Sequence, residues 1–325
     1  MATSDSDALP PQGMRDPAPS GSHNRASGPK NAWTVAQVLQ WTVQRFTTAG
    51  LESPRVDAEY LLAHALDCAR VELYVRHDML IGADERTRFR ELVRRRLAHE
   101  PVAYIEGMRG FHALDLELSV DRRVLVPRPE TELLVDWVLE RLPADTAFTL
   151  LDVGTGCGAI ALSIKRARPE VLVTASDISA DALEVARGNA VRAGLALDFA
   201  TADLYEGVAT PDGGWSAIVS NPPYIDTKVL DGLAPEVRAW EPTLALDGGP
   251  DGLDIVRRLV AGAAQRLAPG GLLGIEIGFD QHERVVPLFH EGGLTSVETR
   301  KDHSDHVRMV MGHKAGQKLG PTAPG

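Results

Sequence analysis

From Pro127 onward the chain alternates short apolar runs with stretches of helical periodicity, and no other feature of the sequence restricts its possible folds as tightly. Strands are expected at 148–153, 171–176, 197–201, 215–220 and 272–277, and helices at 130–141, 158–168, 179–193 and 253–267. Strands separated by helices must cross over and lie parallel, which predicts an α/β fold with a doubly wound, mostly parallel sheet. Two last runs, near 295–300 and 306–311, lie too close together for a crossover helix. They should form an antiparallel hairpin and bring the sheet to seven strands.

The preceding sequence has a different character. Residues 1–30 are rich in Pro, Ser, Gly and Asp and lack apolar periodicity, as a disordered tail would. Helical spacing begins after Trp33, with Thr34 as N-cap and Val35, Val38, Leu39 and Thr42 on one face. A second helix is expected from Ser53 as N-cap and Pro54 at the first helical position. A third should run from Ala83 to His99, with Phe89, Leu92, Val93 and Leu97 on its apolar side. Residues 31–110 therefore read as a small helical domain. The alternation of Leu114, Leu116, Leu118 and Val120 predicts a β-hairpin linker over 111–126. Residues 127–313 then form the main domain and 314–325 a flexible tail.

Composition removes several classes of function. No apolar run approaches the roughly 18 residues that span a bilayer, and the start of the chain has no secretory pattern, so no membrane association and a cytoplasmic location are expected. Cys68 and Cys157 lie far apart and in no metal-ligand spacing. The formal net charge of −11 opposes stable binding of nucleic acid through its phosphates. A monomer is expected.

Leu150-Leu151-Asp152-Val153-Gly154-Thr155-Gly156-Cys157-Gly158-Ala159 ends one predicted strand and opens a helix. Glycines here let the backbone approach a ligand closely. Such a turn can hold a dinucleotide or a nucleoside, or be a tight turn and nothing more. Asp177 ends the next strand, where a carboxylate suits the two hydroxyls of a ribose. NAD enzymes and methyltransferases share that arrangement. Asp203 follows the third strand and could accept from an adenine amino group, or simply form a turn. The spacing G-x-G-x-G, rather than the G-x-G-x-x-G of a pyrophosphate binder, favours S-adenosyl-L-methionine.

Asn221-Pro222-Pro223-Tyr224 follows the strand at 215–220. The end of that strand is where open α/β sheets collect ligands. The lone pair of an amide nitrogen is delocalised, so an enzyme that methylates it must turn the lone pair toward the methyl donor and stabilise the charge that develops. The Asn221 side-chain oxygen and the Pro222 carbonyl can accept the two N–H hydrogens, Pro222 and Pro223 keep that carbonyl rigid, and Tyr224 can stack on a planar group. No metal is required.

With these motifs the chain resembles the peptide chain release factor glutamine methyltransferases (HemK/PrmC family) from about residue 33 to 312. The tetrapeptide is shared with DNA and RNA adenine methyltransferases. More selective likenesses are Pro127-Arg128-Pro129-Glu130-Thr131-Glu132, Pro101 to Gly107 with Phe111, Asp57-Ala58-Glu59, and Glu241-Pro242 followed by Ala245 to Leu253. The resemblance implies a seven-stranded Rossmann-like methyltransferase sheet behind a helical domain that helps hold the protein substrate. It implies S-adenosyl-L-methionine as cofactor, lined by Gly154, Thr155, Gly156, Cys157, Gly158 and Asp177, with Asp203, Leu204 and Asn221 nearby. It also implies that Asn221, Pro222, Pro223 and Tyr224 bind the glutamine of the Gly-Gly-Gln loop in release factors. Two departures stand out: Leu204 replaces a frequent aromatic residue beside the adenine, and Lys301 to Arg308 carries extra histidine.

Other readings are plainer. Arg86, Arg90 and Arg94, with Arg88, Arg95 and Arg96, read as the solvated side of the third helix before they read as a docking patch. His303, His306 and His313 have no partner spacing for a metal. Competing functions are an adenine methyltransferase acting on DNA or RNA, a nicotinamide-dependent oxidoreductase, which would leave Asn221–Tyr224 without a role, and a non-catalytic module that binds S-adenosylmethionine.

Overall fold

The computed structural model describes residues 33–112, 116–142 and 148–316. The expected tail at 1–30, Leu114 of the alternating run and the end segment from 317 lie outside the described residues. The chain divides into two compact units, one ending at Glu106 and the other starting at Gly107.

The first unit is helical. Helix α1 (Val35–Thr48) opens on a capping box: Thr34 Oγ1 accepts the Gln37 N–H, and Gln37 accepts the Thr34 N–H. It buries Val35, Val38, Thr42 and Phe46. Helix α2 (Pro54–Ala65) begins at Pro54 as expected, but Ser53 makes no side-chain cap bond. Its ψ of 57° lies outside the extended conformation from which a cap hydroxyl reaches back to the first turn. Helices α3 (Glu72–Val75) and α5 (Val102–Glu106) were not expected, because one turn is too short to establish a period.

Helix α4 (Ala83–Leu97) corrects the reading of its arginines. Its buried stripe runs Phe89, Val93, Arg96 at the i, i+4, i+7 spacing of a packed face, so Arg96 continues the core side. The Arg96 Nε donates to Asp57 Oδ2 on α2 at 2.8 Å, and Arg95 grips both oxygens of Glu100 at 2.6 and 2.8 Å. These two arginines brace the unit internally.

The second unit begins with strands β1 (Met108–Phe111) and β2 (Leu116–Ser119), paired antiparallel. Leu116 and Leu118 are buried and Glu117 between them is exposed, the alternation of a one-sided strand. No strand continues through 120–126, where the hairpin was expected to extend. Helix α6 (Pro129–Arg141) leads into β3 (Thr149–Val153), α7 (Ala159–Ala167), β4 (Leu172–Asp177), α8 (Ala180–Ala193), β5 (Asp198–Thr201) and β6 (Trp215–Ser220). A 3₁₀ turn (Thr227–Gly232), the single turn α9 (Pro235–Arg238) and another 3₁₀ turn (Thr243–Ala245) precede α10 (Asp254–Arg266). Strand β7 (Leu267–Glu276), α11 (His282–Glu291), β8 (Leu294–Lys301) and β9 (Val307–Lys314) complete the unit.

The seven strands β3 to β9 form one sheet in the order β5-β4-β3-β6-β7-β9-β8, parallel from β5 to β7 and antiparallel at β9 and β8. This is the predicted doubly wound sheet with its closing hairpin. Strand β3 lies inside the sheet between β4 and β6 and is buried from Leu150 to Val153, as a strand covered on both faces must be. Strand β7 starts earlier than expected, because Leu267 already pairs with Trp215 and the Pro269-Gly270-Gly271 segment lies within an irregular step before regular pairing resumes at Leu272. Among the described residues no helix is long and apolar enough to cross a membrane, and no group of three or more His, Cys, Asp or Glu could hold a metal ion.

Candidate active site

The chain reverses its direction of travel across the sheet between β3 and β6, so the loops after these strands diverge and leave a crevice at their carboxyl ends. A cavity of about 380 Å³ occupies it. Its walls include Gly154, Thr155, Gly156, Cys157, Asp177, Asp203, Leu204, Asn221 and Pro223. The predicted loop, both acidic positions and the start of the tetrapeptide therefore share one space. Gly158, Pro222 and Tyr224 stand off the cavity wall.

The glycine loop is held from below. Gly154 and Thr155 donate their N–H groups to the Ser176 carbonyl at 2.8 and 2.9 Å, which ties the end of β3 to that of β4. Asp152 is fully buried; its Oδ2 accepts the Thr155 hydroxyl at 2.7 Å and the Ala161 N–H at 3.1 Å, fastening the loop to the first turn of α7. Burial pushes its carboxyl group up to about 7. Gly154 and Gly156 have φ of +71° and +56°, and a Cβ at either would meet open space, so the backbone itself faces the cavity. Gly158 (φ +88°) is the residue before α7, where a Cβ would press to 3.0 Å on Leu162. Asn189 of α8 donates to the Cys157 carbonyl at 2.9 Å and exchanges hydrogen bonds with the Ser119 backbone, fixing the loop from the side. Burial pushes the Cys157 thiol up to about 12, so it stays protonated as a small packing group.

Asp177 accepts the N–H of Gly156 and of Ser179, each at 2.9 Å. Burial raises its pKa while these N–H groups oppose the rise. Ser179 caps α8 through the Ala182 N–H, leaving Asp177 directed at the loop. Asp203 accepts from Arg258 of α10 at 2.8 Å, and both line the cavity.

The tetrapeptide leaves β6 where the Ser220 hydroxyl donates to the Val153 carbonyl at 2.7 Å, locking the two central strand ends together. Pro222 is buried. The Tyr224 carbonyl accepts from Gln281 Nε2 at 2.8 Å, and its hydroxyl donates to Glu276 Oε1 at 3.3 Å and accepts from Arg308 at 3.1 Å. Burial, then the charge of Glu276, pushes the Tyr224 hydroxyl up to about 12. Asn221 Nδ2 donates to Thr131 Oγ1 at 3.0 Å, and the Thr131 hydroxyl donates to Glu276 Oε2 at 2.7 Å.

Sequence reasoning passed over Thr131 as a side chain, Glu276, Gln281, Arg258 and Arg308. One signal was available. Glu276 is a lone carboxylate in the apolar run Gly271–Gly278, at the carboxyl end of a central strand, where a charge is tolerated only with buried partners. The arrangement offers a carboxylate for a hydroxyl pair, exposed backbone for a close ligand, and a side-chain amide whose orientation is fixed.

Residues 37–107 match the family model described as PrmC N-terminal domain, and residues 131–235 match the Methyltransferase small domain. The chain is 42% identical over 292 residues to the release factor glutamine methyltransferase of Caulobacter vibrioides, covering 86% of this chain and 97% of that protein. It is 43% identical over 291 residues to the one from Rhodopirellula baltica, covering 87% and 97%, and 39% identical over 280 residues to that of Geobacter sulfurreducens, covering 86% and 96%. With this likeness running through both the helical unit and the sheet, the chain belongs to the release factor glutamine methyltransferase family.

Proposed function

We propose that this chain transfers a methyl group from S-adenosyl-L-methionine to the side-chain amide nitrogen of the glutamine in the Gly-Gly-Gln motif of a peptide chain release factor, in the cytoplasm. The observation that carries the reading is that one cavity joins the glycine loop, Asp177 and Asn221. Its lining fits an adenosyl group. Gly154 and Gly156 leave room for close approach, Asp177 retains lone pairs for two hydroxyls, and Ile178, Ala202 and Leu204 give apolar surface for a flat heterocycle. When bound, S-adenosylmethionine supplies a methyl group on a positively charged sulfur.

The chain's own residues deal with the weak nucleophile. Asn221 Oδ1 accepts one substrate N–H and the Pro222 carbonyl accepts the other, which orients the nitrogen lone pair and stabilises the positive charge that grows there. Pro222 and Pro223 have fixed φ, so the carbonyl does not have to reorganise as charge develops. The net charge of −11 supports a protein substrate over nucleic acid.

The test is incubation with labelled S-adenosylmethionine and purified release factor, followed by mass spectrometry of the tryptic Gly-Gly-Gln peptide. One added methyl on that glutamine is expected. Asn221→Ala should lower turnover about 100-fold while cofactor affinity holds. Label entering DNA or RNA, with none in the release factor, would replace this reading by adenine methylation.

A further inference from the structure

A primary amide can turn over about its last bond with almost no change in shape, exchanging an acceptor for a pair of donors. If Asn221 presented its NH₂ to the substrate, two donor groups would face each other and the substrate nitrogen could not be held. Something outside the tetrapeptide must therefore fix which end of Asn221 faces the cavity.

The structure supplies it. Asn221 Nδ2 lies 3.0 Å from Thr131 Oγ1 at the start of α6, and that hydroxyl lies 2.7 Å from Glu276 Oε2 at the end of β7. A threonine hydroxyl has one hydrogen. While a carboxylate takes it, the oxygen can only accept, and its other neighbour must offer an N–H. Glu276 has no exposed surface, and its second oxygen accepts from the Tyr224 hydroxyl and lies 3.8 Å from Arg308 Nη2. Burial raises the pKa of this carboxyl group, whereas the Thr131 hydrogen bond and the Arg308 charge favour its ionised form. Each oxygen thus has a donor directed at it.

We propose that Glu276 and Thr131 are positioning residues that set the direction of a hydrogen-bond relay and so hold Asn221 Oδ1 toward the substrate amide. This rests on the acceptor role given to Asn221 above. Glu276→Gln keeps the shape but reverses the polarity. Its oxygen stays beside Arg308, its NH₂ turns to Thr131, and the freed hydroxyl hydrogen then points at Asn221 and favours the flipped amide.

The experiment measures kcat, KM for release factor, the dissociation constant for S-adenosylmethionine and the melting temperature of full-length Thr131→Val, Thr131→Ser and Glu276→Gln. Thr131→Val is also placed in the Asn221→Ala background. Thr131→Val and Glu276→Gln should each lower kcat about 10- to 100-fold and leave KM and cofactor affinity within about threefold. Thr131→Ser should retain turnover within about threefold of the parent, and in the Asn221→Ala background Thr131→Val should cost less than about twofold more. A normal kcat for Thr131→Val, an equal loss in both backgrounds, or a serine variant as slow as valine overturns the relay. If Thr131→Val does not fold, a Glu276→Gln enzyme with unchanged kcat overturns it equally. Near-normal turnover of Asn221→Ala would instead defeat the acceptor role itself, so the two failures can be told apart.

Discussion

Replacing Asp152 with Asn should make the protein progressively more stable, relative to the parent, as pH rises from about 4 to about 7. Asp152 is fully buried beneath the glycine loop, and its pKa is pushed from an ordinary 3.8 up to about 7, first of all by burial. The folded state therefore holds a proton that the unfolded chain releases near 3.8, so parent stability falls with rising pH across that window and is level above it. At about 1.4 kcal/mol per pH unit, the window between 3.8 and about 7 amounts to about 4 kcal/mol. Asparagine keeps an oxygen for the Thr155 hydroxyl and the Ala161 N–H, so the loop stays fastened. Its NH₂ takes the place of Oδ1, a buried atom with no hydrogen-bond partner, at a cost of about 1–3 kcal/mol that does not depend on pH. Urea unfolding of both proteins at several pH values between 4 and 8 measures the difference directly. Buried acids that do not interact with Asp152 titrate in both proteins and cancel, while Asp177, whose charge helps to raise the Asp152 pKa, is relieved of the same repulsion in the variant and adds to the trend. A stability difference that is flat with pH, or that shrinks as pH rises, would refute the reasoning.

Three further outcomes follow from the site. Asp177→Ala should weaken S-adenosylmethionine binding about tenfold or more by calorimetry, through loss of charged hydrogen bonds to the ligand, and an unchanged dissociation constant would remove Asp177 from that role. Gly252→Ala should lower stability by about 2–5 kcal/mol and slow turnover, because φ is +74° and the new Cβ would lie 2.4 Å from the Tyr224 carbonyl oxygen and 2.7 Å from Gln281 Nε2; a normal melting temperature with normal turnover would contradict this. Cys157, with its thiol held up at about 12, should resist iodoacetamide at pH 8 in the folded protein and react readily in urea, and rapid native labelling would show that the loop opens.

What was legible in the sequence was what is local. The glycine loop, the acidic end of β4 and the tetrapeptide after β6 each occupy a few consecutive residues, and their strand ends were set by the period of apolar positions. Short or interrupted elements escaped. Helix α11 contains Pro287, which reads as a breaker although Val285 and Phe289 bury its face, and α3 has a single turn. The supports of the site escaped for a different reason. Thr131 and Glu276 are 145 positions apart, and only the packing of α6 beside β7 brings them together. Ser53 and Arg96 went the other way: each residue type suited the expected place, but backbone geometry keeps Ser53 from capping α2 and the helix stripe turns Arg96 into the core.

Strand β9 is the last described element along the chain, yet it lies inside the sheet, between β7 and β8. It also carries Arg308, whose guanidinium reaches Tyr224 and Glu276. One strand therefore both joins β8 to the rest of the sheet and delivers the cation that the buried carboxylate faces. Without β9, β7 would have an open edge, β8 would have no strand to pair with, and Glu276 would lose its facing cation, so sheet closure and the electrostatics of the site depend on the same eight residues.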